Sequence, residues 1–257
     1  MAATTSHGVW NCGAGLEYGA VCNLSLGLQV AFRQKMLTIF ALQVFLVGVL
    51  VSALEHKAPL NVWLGHRFAK KSWVLLPFAI LCVMLVVLYV LRSRFPLNWL
   101  VLVVFSMAQS VFFAALGTAF RTNIGVFNCV FTFVCICLMV VLSSVRRRDG
   151  GSDEGRLMSS FGAGMISFSI SAVVASILFV LFGRSIITAE AFGLSLLFQL
   201  VLMAWFSLDA SAMYQVMSPD EYMHGVIYFY TDMILLMVIC AVAGMTIMLR
   251  VQVPLKR

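Results

Sequence analysis

SPDEYMHGVIYFYTDMILLMVICAVAGMTIML, residues 218–249, reads as a capped helix long enough to cross a bilayer. Ser218 can cap the helix through its hydroxyl, Pro219 is preset for the first turn, and Glu221 three residues after the cap completes a capping box. The start of the helix is thereby fixed at Tyr222. Asp232 lies ten residues further in, or ~15 Å at 1.5 Å per residue, near the midplane of a bilayer. Its side chain is too short to reach water. A carboxyl at that depth costs several kcal/mol and by default marks an ion or proton path.

The rest of the chain has the same solvent. At 62% hydrophobic and 11% charged residues, with a mean hydropathy of +1.03, it departs from soluble domains, which carry roughly 25% charged residues. About 20 helical residues cross ~30 Å of hydrocarbon. Apolar runs of that length recur at Met36 to Leu54, Trp73 to Leu91, Leu97 to Ala119, Asn123 to Ser143, Met158 to Phe182, Ala191 to Tyr214 and Tyr222 to Leu249. The expectation is an all-α polytopic membrane protein with seven spans. Residues 1–35 are read as an N-terminal tail, 36–249 as the transmembrane domain and 250–257 as a short basic C-terminal tail. The first apolar run starts too late for a cleaved signal peptide, so the first helix is expected to act as the insertion signal.

Connections are short except Glu55 to Ser72 and the hydrophilic insert Ser144 to Leu157, which carries Arg146-Arg147-Arg148 and then Asp149 to Glu154. No room is left for a separate soluble domain. With the N-terminus inside, eight Lys and Arg fall on the cytoplasmic side and nine opposite, so the positive-inside rule leaves the orientation open. The net charge of +7 is spread over both faces, and no contiguous soluble basic surface exists for nucleic acid. The partner expected instead is the lipid bilayer.

Of seven cysteines, Cys82, Cys129, Cys135, Cys137 and Cys240 fall inside spans and read as small apolar residues. Cys12 and Cys22 could pair, and Asn23-Leu24-Ser25 could be glycosylated, if the tail faced an oxidising compartment. In the fifth span Ser160, Gly164, Ser167, Ser171 and Ala175 form a row of small residues, which reads as a helix-packing seam, with a hydroxyl-lined pore as the alternative. No phosphate loop, His-Glu-x-x-His or nucleophile elbow is present, so the chain is read as non-enzymatic and without a cofactor. A Gly-x-Gly-Asp intramembrane protease is disfavoured, because Asp209 follows Phe206-Ser207-Leu208.

Asp209 is the second intramembrane acid, on the antiparallel neighbour of the last span. Counted on straight helices from the intervening turn, it lies an axial ~7 to 10 Å from Asp232, a gap that tilt or unwinding must close. Two carboxyls in reach of each other share one proton near neutral pH or bind a hard cation such as Ca²⁺. The alternative is that each satisfies a donor on a neighbouring helix and holds the bundle together.

Ser218-Pro219-Asp220-Glu221-Tyr222 followed by Tyr230-Thr231-Asp232-Met233-Ile234 resembles the final-helix signature of the transmembrane Bax inhibitor motif family, the Bax inhibitor and Lifeguard proteins. Phe32-Arg33-Gln34-Lys35 with Leu42-Gln43 is similar to that family's first helix, and Phe206 to Asp209 to its penultimate one. The resemblance implies a seven-helix bundle with the last helix central and the N-terminus in the cytosol. It implies a pH-sensitive Ca²⁺ leak from intracellular stores through Asp209 and Asp232, which would hold Ca²⁺ transiently as the permeant ion. It further implies inhibition of apoptosis and residence in the endoplasmic reticulum, Golgi or plasma membrane. Ser218, Glu221 and Arg92 are the candidates for gating and for setting the start of the last helix. Ala210-Ser211 after Asp209 looks like the herpesvirus seven-transmembrane branch, which implies host endoplasmic reticulum and, as the alternative function, viral immune evasion by retaining or degrading host cell-surface ligands. Bacterial members latch the helix-six aspartate with an arginine inside helix two; here Trp73 to Leu91 holds no charge, and Arg92 and Arg94 lie beyond its end. A G-protein-coupled receptor is disfavoured by Thr118-Ala119-Phe120-Arg121 without an Asp-Arg-Tyr triplet and by the absence of Asn-Pro-x-x-Tyr.

Overall fold

The computed structural model describes residues 20–56, 62, 66, 75–94, 96–120, 124–147, 156–182 and 187–252. Long helices dominate: α1 Leu26–His56, α2 Leu75–Val90, α3 Leu97–Phe120, α4 Ile124–Ser143, α5 Ser160–Leu181, α6 Ala189–Val216 and α7 Tyr222–Gln252. Within α1, α3, α4, α5 and α6 lie stretches long and apolar enough to cross a membrane, and α2 is a shorter apolar helix. The chain is an all-α, multi-pass membrane protein. Apolar side chains are as abundant on the outside as in the core, with Val86, Val180 and Leu194 each at least 60% exposed, as a surface solvated by lipid tails requires.

The first helix begins ten residues earlier than the sequence suggests, at Leu26 and not Met36. Gln29, Arg33, Gln34 and Lys35 make residues 26–35 look like a solvated tail, yet each has a partner at the foot of the bundle. Gln29 Nε2 donates to the carbonyls of Cys22 (3.0 Å) and Leu24 (2.7 Å), and the Tyr214 hydroxyl donates to Gln29 Oε1. The Arg33 guanidinium donates to the Met158 carbonyl at 2.7 Å and stacks on the Tyr214 ring. Gln34 donates to Ser144 Oγ at 3.0 Å, and Lys35 sits 3.5 Å over the Tyr222 ring. At the other end of the chain α7 runs to Gln252, past the expected Leu249. The remaining residues of the basic tail, the Cys12 partner of Cys22 and residues 148–155 of the insert lie outside the described residues. The flanks of that insert pair as an antiparallel hairpin, β1 Arg146–Arg147 with β2 Arg156–Leu157, which the sequence did not announce.

The row of small residues on α5 is a packing seam. Ser160, Ala163, Gly164, Ser167 and Ser171 are buried, and a Cβ on Gly164 would overlap the Ser207 side chain of α6. Backbones that approach this closely gain dispersion contact in a solvent that offers no hydrophobic drive. Gly164→Val should therefore cost about 1–3 kcal/mol by overpacking, read as a lower midpoint of thermal unfolding in detergent, whereas Gly193→Val, where nothing stands within 4 Å of a Cβ, should stay near wild type. Between α4 and α6 a ladder of polar side chains does the aligning: Thr132 donates to Gln199 Oε1 at 3.0 Å, Gln199 Nε2 donates to the Asn128 carbonyl and to its Oδ1 at 3.2 Å, and Ser195 donates to Asn128 Oδ1. Cys129, clustered with Val47 and Val51 of α1, and Cys135 are buried free thiols of α4 and pack as small apolar groups.

Candidate functional site

The start of α7 is built as its residues dictate. Ser218 and Glu221 form the capping box around a 3-10 turn Pro219–Glu221, with the Ser218 N–H donating to Glu221 Oε2 at 3.1 Å. From there α7 descends among four neighbours. Tyr230, fully buried, packs edge-on against Phe40 of α1 and Phe105 of α3, and donates to Gln43 Oε1 at 2.8 Å. Phe229 meets Phe206 of α6 with ring centroids 5.3 Å apart. Tyr230→Phe would orphan the Gln43 acceptor; side-chain hydrogen bonds in membranes are worth about 0.6 kcal/mol and at most roughly 1.7, so a loss of about 1 kcal/mol in unfolding free energy is expected from a denaturation curve in mixed micelles.

Asp232 of α7 lies close enough to Asp209 of α6 for the two carboxyls to interact electrostatically, with the Trp205 indole also in its surroundings. Trp205 and Asp209 are four residues apart and so share one face of α6. The separation expected from straight helices shrinks because α6 continues to Val216. Counted inward from that end, Asp209 lies seven residues in, ~10.5 Å, against ~15 Å for Asp232 counted inward from Tyr222, leaving an axial offset of ~4.5 Å that two side chains can bridge. Both residues are half-buried, and Asp232 Oδ2 is shielded from solvent without a hydrogen-bond partner. An orphaned carboxylate oxygen beside a second carboxyl is the donor set a hard cation or a shared proton takes. Among the described residues no group of three or more His, Cys, Asp or Glu comes together.

Met233, next in sequence to Asp232, meets an amide of α3. Gln109 of α3 is buried, its Nε2 lies 3.6 Å from Met233 Sδ, and its Oε1 has no partner. An amide in the middle of LNWLVLVVFSMAQSVFF was the available signal. The candidates for gating gather elsewhere, at the head of α7. Arg92 and Glu221 line an open cleft of about 560 Å³ between α2 and α7 whose walls do not include Asp232, while Ser218 serves the cap. No carboxylate pairs with Arg92 among the described residues; Glu221 faces His224, with Oε1 3.6 Å from Nδ1.

Comparison of the chain with protein-family models, with curated proteins and with solved structures finds no match.

Proposed function

We propose that this protein is a seven-span member of the transmembrane Bax inhibitor motif family that leaks Ca²⁺ from intracellular stores and thereby restrains apoptosis. The observation that carries the reading is the meeting of two carboxyls from consecutive helices at bilayer depth, one with an unpartnered oxygen. The packing of α7 against α1, α3 and α6 through Tyr230 and Phe229 supports the central position that the resemblance implies for the last helix. The protein would act in the endoplasmic reticulum, Golgi or plasma membrane, without catalysing a reaction and without a cofactor, with Ca²⁺ as cargo.

Protons and Ca²⁺ compete for the same oxygens. Protonation removes the negative charge that draws the cation, so flux into liposomes containing the purified protein should rise between about pH 6 and pH 8. A pH-independent flux, equal in wild type and in the Asp209→Asn/Asp232→Asn double variant, would sink the reading.

A second reading follows from Ala210-Ser211 after Asp209, which resembles the herpesvirus branch. There the protein would retain or degrade host ligands in the secretory pathway. It is distinguished by loss of surface ligands that persists when both aspartates are neutralised.

A further inference from the structure

We propose that the cleft between α2 and α7 binds one zwitterionic glycerophospholipid, with the lipid phosphate at Arg92, the headgroup ammonium toward Glu221, and one acyl chain running along Leu85, Val86 and Ile227. The cleft, about 560 Å³, is polar at one end and apolar at the other. Its polar end is made of Arg92, just past the C-terminus of α2, and Glu221 and His224 at the start of α7. Leu85 is seven residues below Arg92, and Thr231 seven below His224, so the walls descend ~10 Å along the helices. That depth takes a headgroup at the level of the interface and the first part of a chain beneath it.

What covers the cleft follows from where it opens. Val86, Tyr89 and Tyr228 on its rim are 63, 50 and 46% exposed, and this flank of a multi-pass bundle faces lipid. The Thr231 hydroxyl is already satisfied by the Ile227 carbonyl at 3.0 Å, so the deep wall offers no unmet polar group and suits hydrocarbon. Charge selects the head. The Arg92 guanidinium carbon lies over the Tyr89 ring, 4.2 Å from its centroid, and a guanidinium can give two hydrogen bonds to phosphate oxygens from its edge. Glu221 supplies negative charge in the same cleft, matching a headgroup that carries both signs and opposing one that is only anionic. Tyr89 and Tyr228 place amphipathic rings at the level where such rings prefer to sit.

Native mass spectrometry of the full chain released from detergent micelles tests this, with phosphatidylethanolamine, phosphatidylglycerol and inorganic phosphate offered separately and in competition. The wild type should retain one phosphatidylethanolamine per chain in preference to phosphatidylglycerol. Arg92→Gln should lower that retention at least tenfold, and Arg92→Lys should restore part of it. Leu85→Trp, which fills the apolar end, should abolish retention with Arg92 intact. Glu221→Gln keeps the capping box and should shift preference toward phosphatidylglycerol. Equal retention by wild type, Arg92→Gln and Leu85→Trp would show non-specific lipid only and overturn the proposal, as would binding of inorganic phosphate without retention of lipid. Unfolding midpoints of the variants are measured in parallel, so that loss of lipid is scored only in folded protein. The readout is bound lipid and not ion flux, so it stands or falls separately from the Ca²⁺ reading.

Discussion

Asp232→Asn should reduce Ca²⁺ flux at least ~10-fold while leaving the protein as stable as the wild type, or slightly more so. The substitution keeps the shape of the side chain but removes one negative charge from a site where a second carboxyl is close enough to interact. A unit charge and a divalent ion ~4 Å apart attract by about 8 kcal/mol at an effective dielectric of ~20. Losing even a fifth of that slows passage about tenfold. Stability moves the other way, since like charges at close range oppose folding and the amide relieves them. Flux in liposomes and thermal unfolding in the same detergent are measured on one preparation. Unchanged flux with lowered stability would make Asp232 a structural residue. Asp209→Asn is expected to act in the same direction, because the two residues form one site.

Tyr230→Ala should be among the most destabilising substitutions in the described part of the protein. Truncating a buried aromatic costs roughly 3–5 kcal/mol in soluble cores. In a bilayer the unfolded helix is also in an apolar solvent, so the transfer component shrinks and the cavity, the lost ring contacts and the orphaned Gln43 remain. About 3 kcal/mol is expected, or roughly 6–12 °C in the unfolding midpoint for a chain of this size. Val180→Ala and Leu194→Ala, on the lipid-facing surface, should stay within about 0.5 kcal/mol. A Tyr230→Ala midpoint equal to those controls would contradict the packing of α7 between α1 and α3.

The helices were legible because lipid leaves little choice: a run of some twenty apolar residues in hydrocarbon satisfies its backbone only as a helix. The start of α7 was legible for a local reason, since Ser218, Pro219 and Glu221 specify a cap without tertiary help. The foot of α1 was not. Gln29, Arg33 and Lys35 look solvated until Met158, Tyr214 and Tyr222, far away in sequence, come to meet them. The axial offset of the two aspartates depends on tertiary detail for a similar reason, because it shortens when α6 continues two residues past Tyr214. Gln109, Gln199 and Asn128 give no signal of their roles in the sequence, because a single amide in an apolar run carries no periodic signature; its partner lies on another helix.

The α4–α6 ladder has a mechanical consequence. Sliding α6 along α4 by one helical turn, ~5.4 Å, would break the bonds of Thr132, Asn128, Ser195 and Gln199 together, and the glycine seam ties α5 to the same helix. These three helices thus form a stiff block on which Asp209 is carried. Asp232 rides on α7, joined to that block by Met217 and the capped turn alone in sequence, so a rocking of α7 against a stationary block is the motion that would open or close the gap between the two carboxyls.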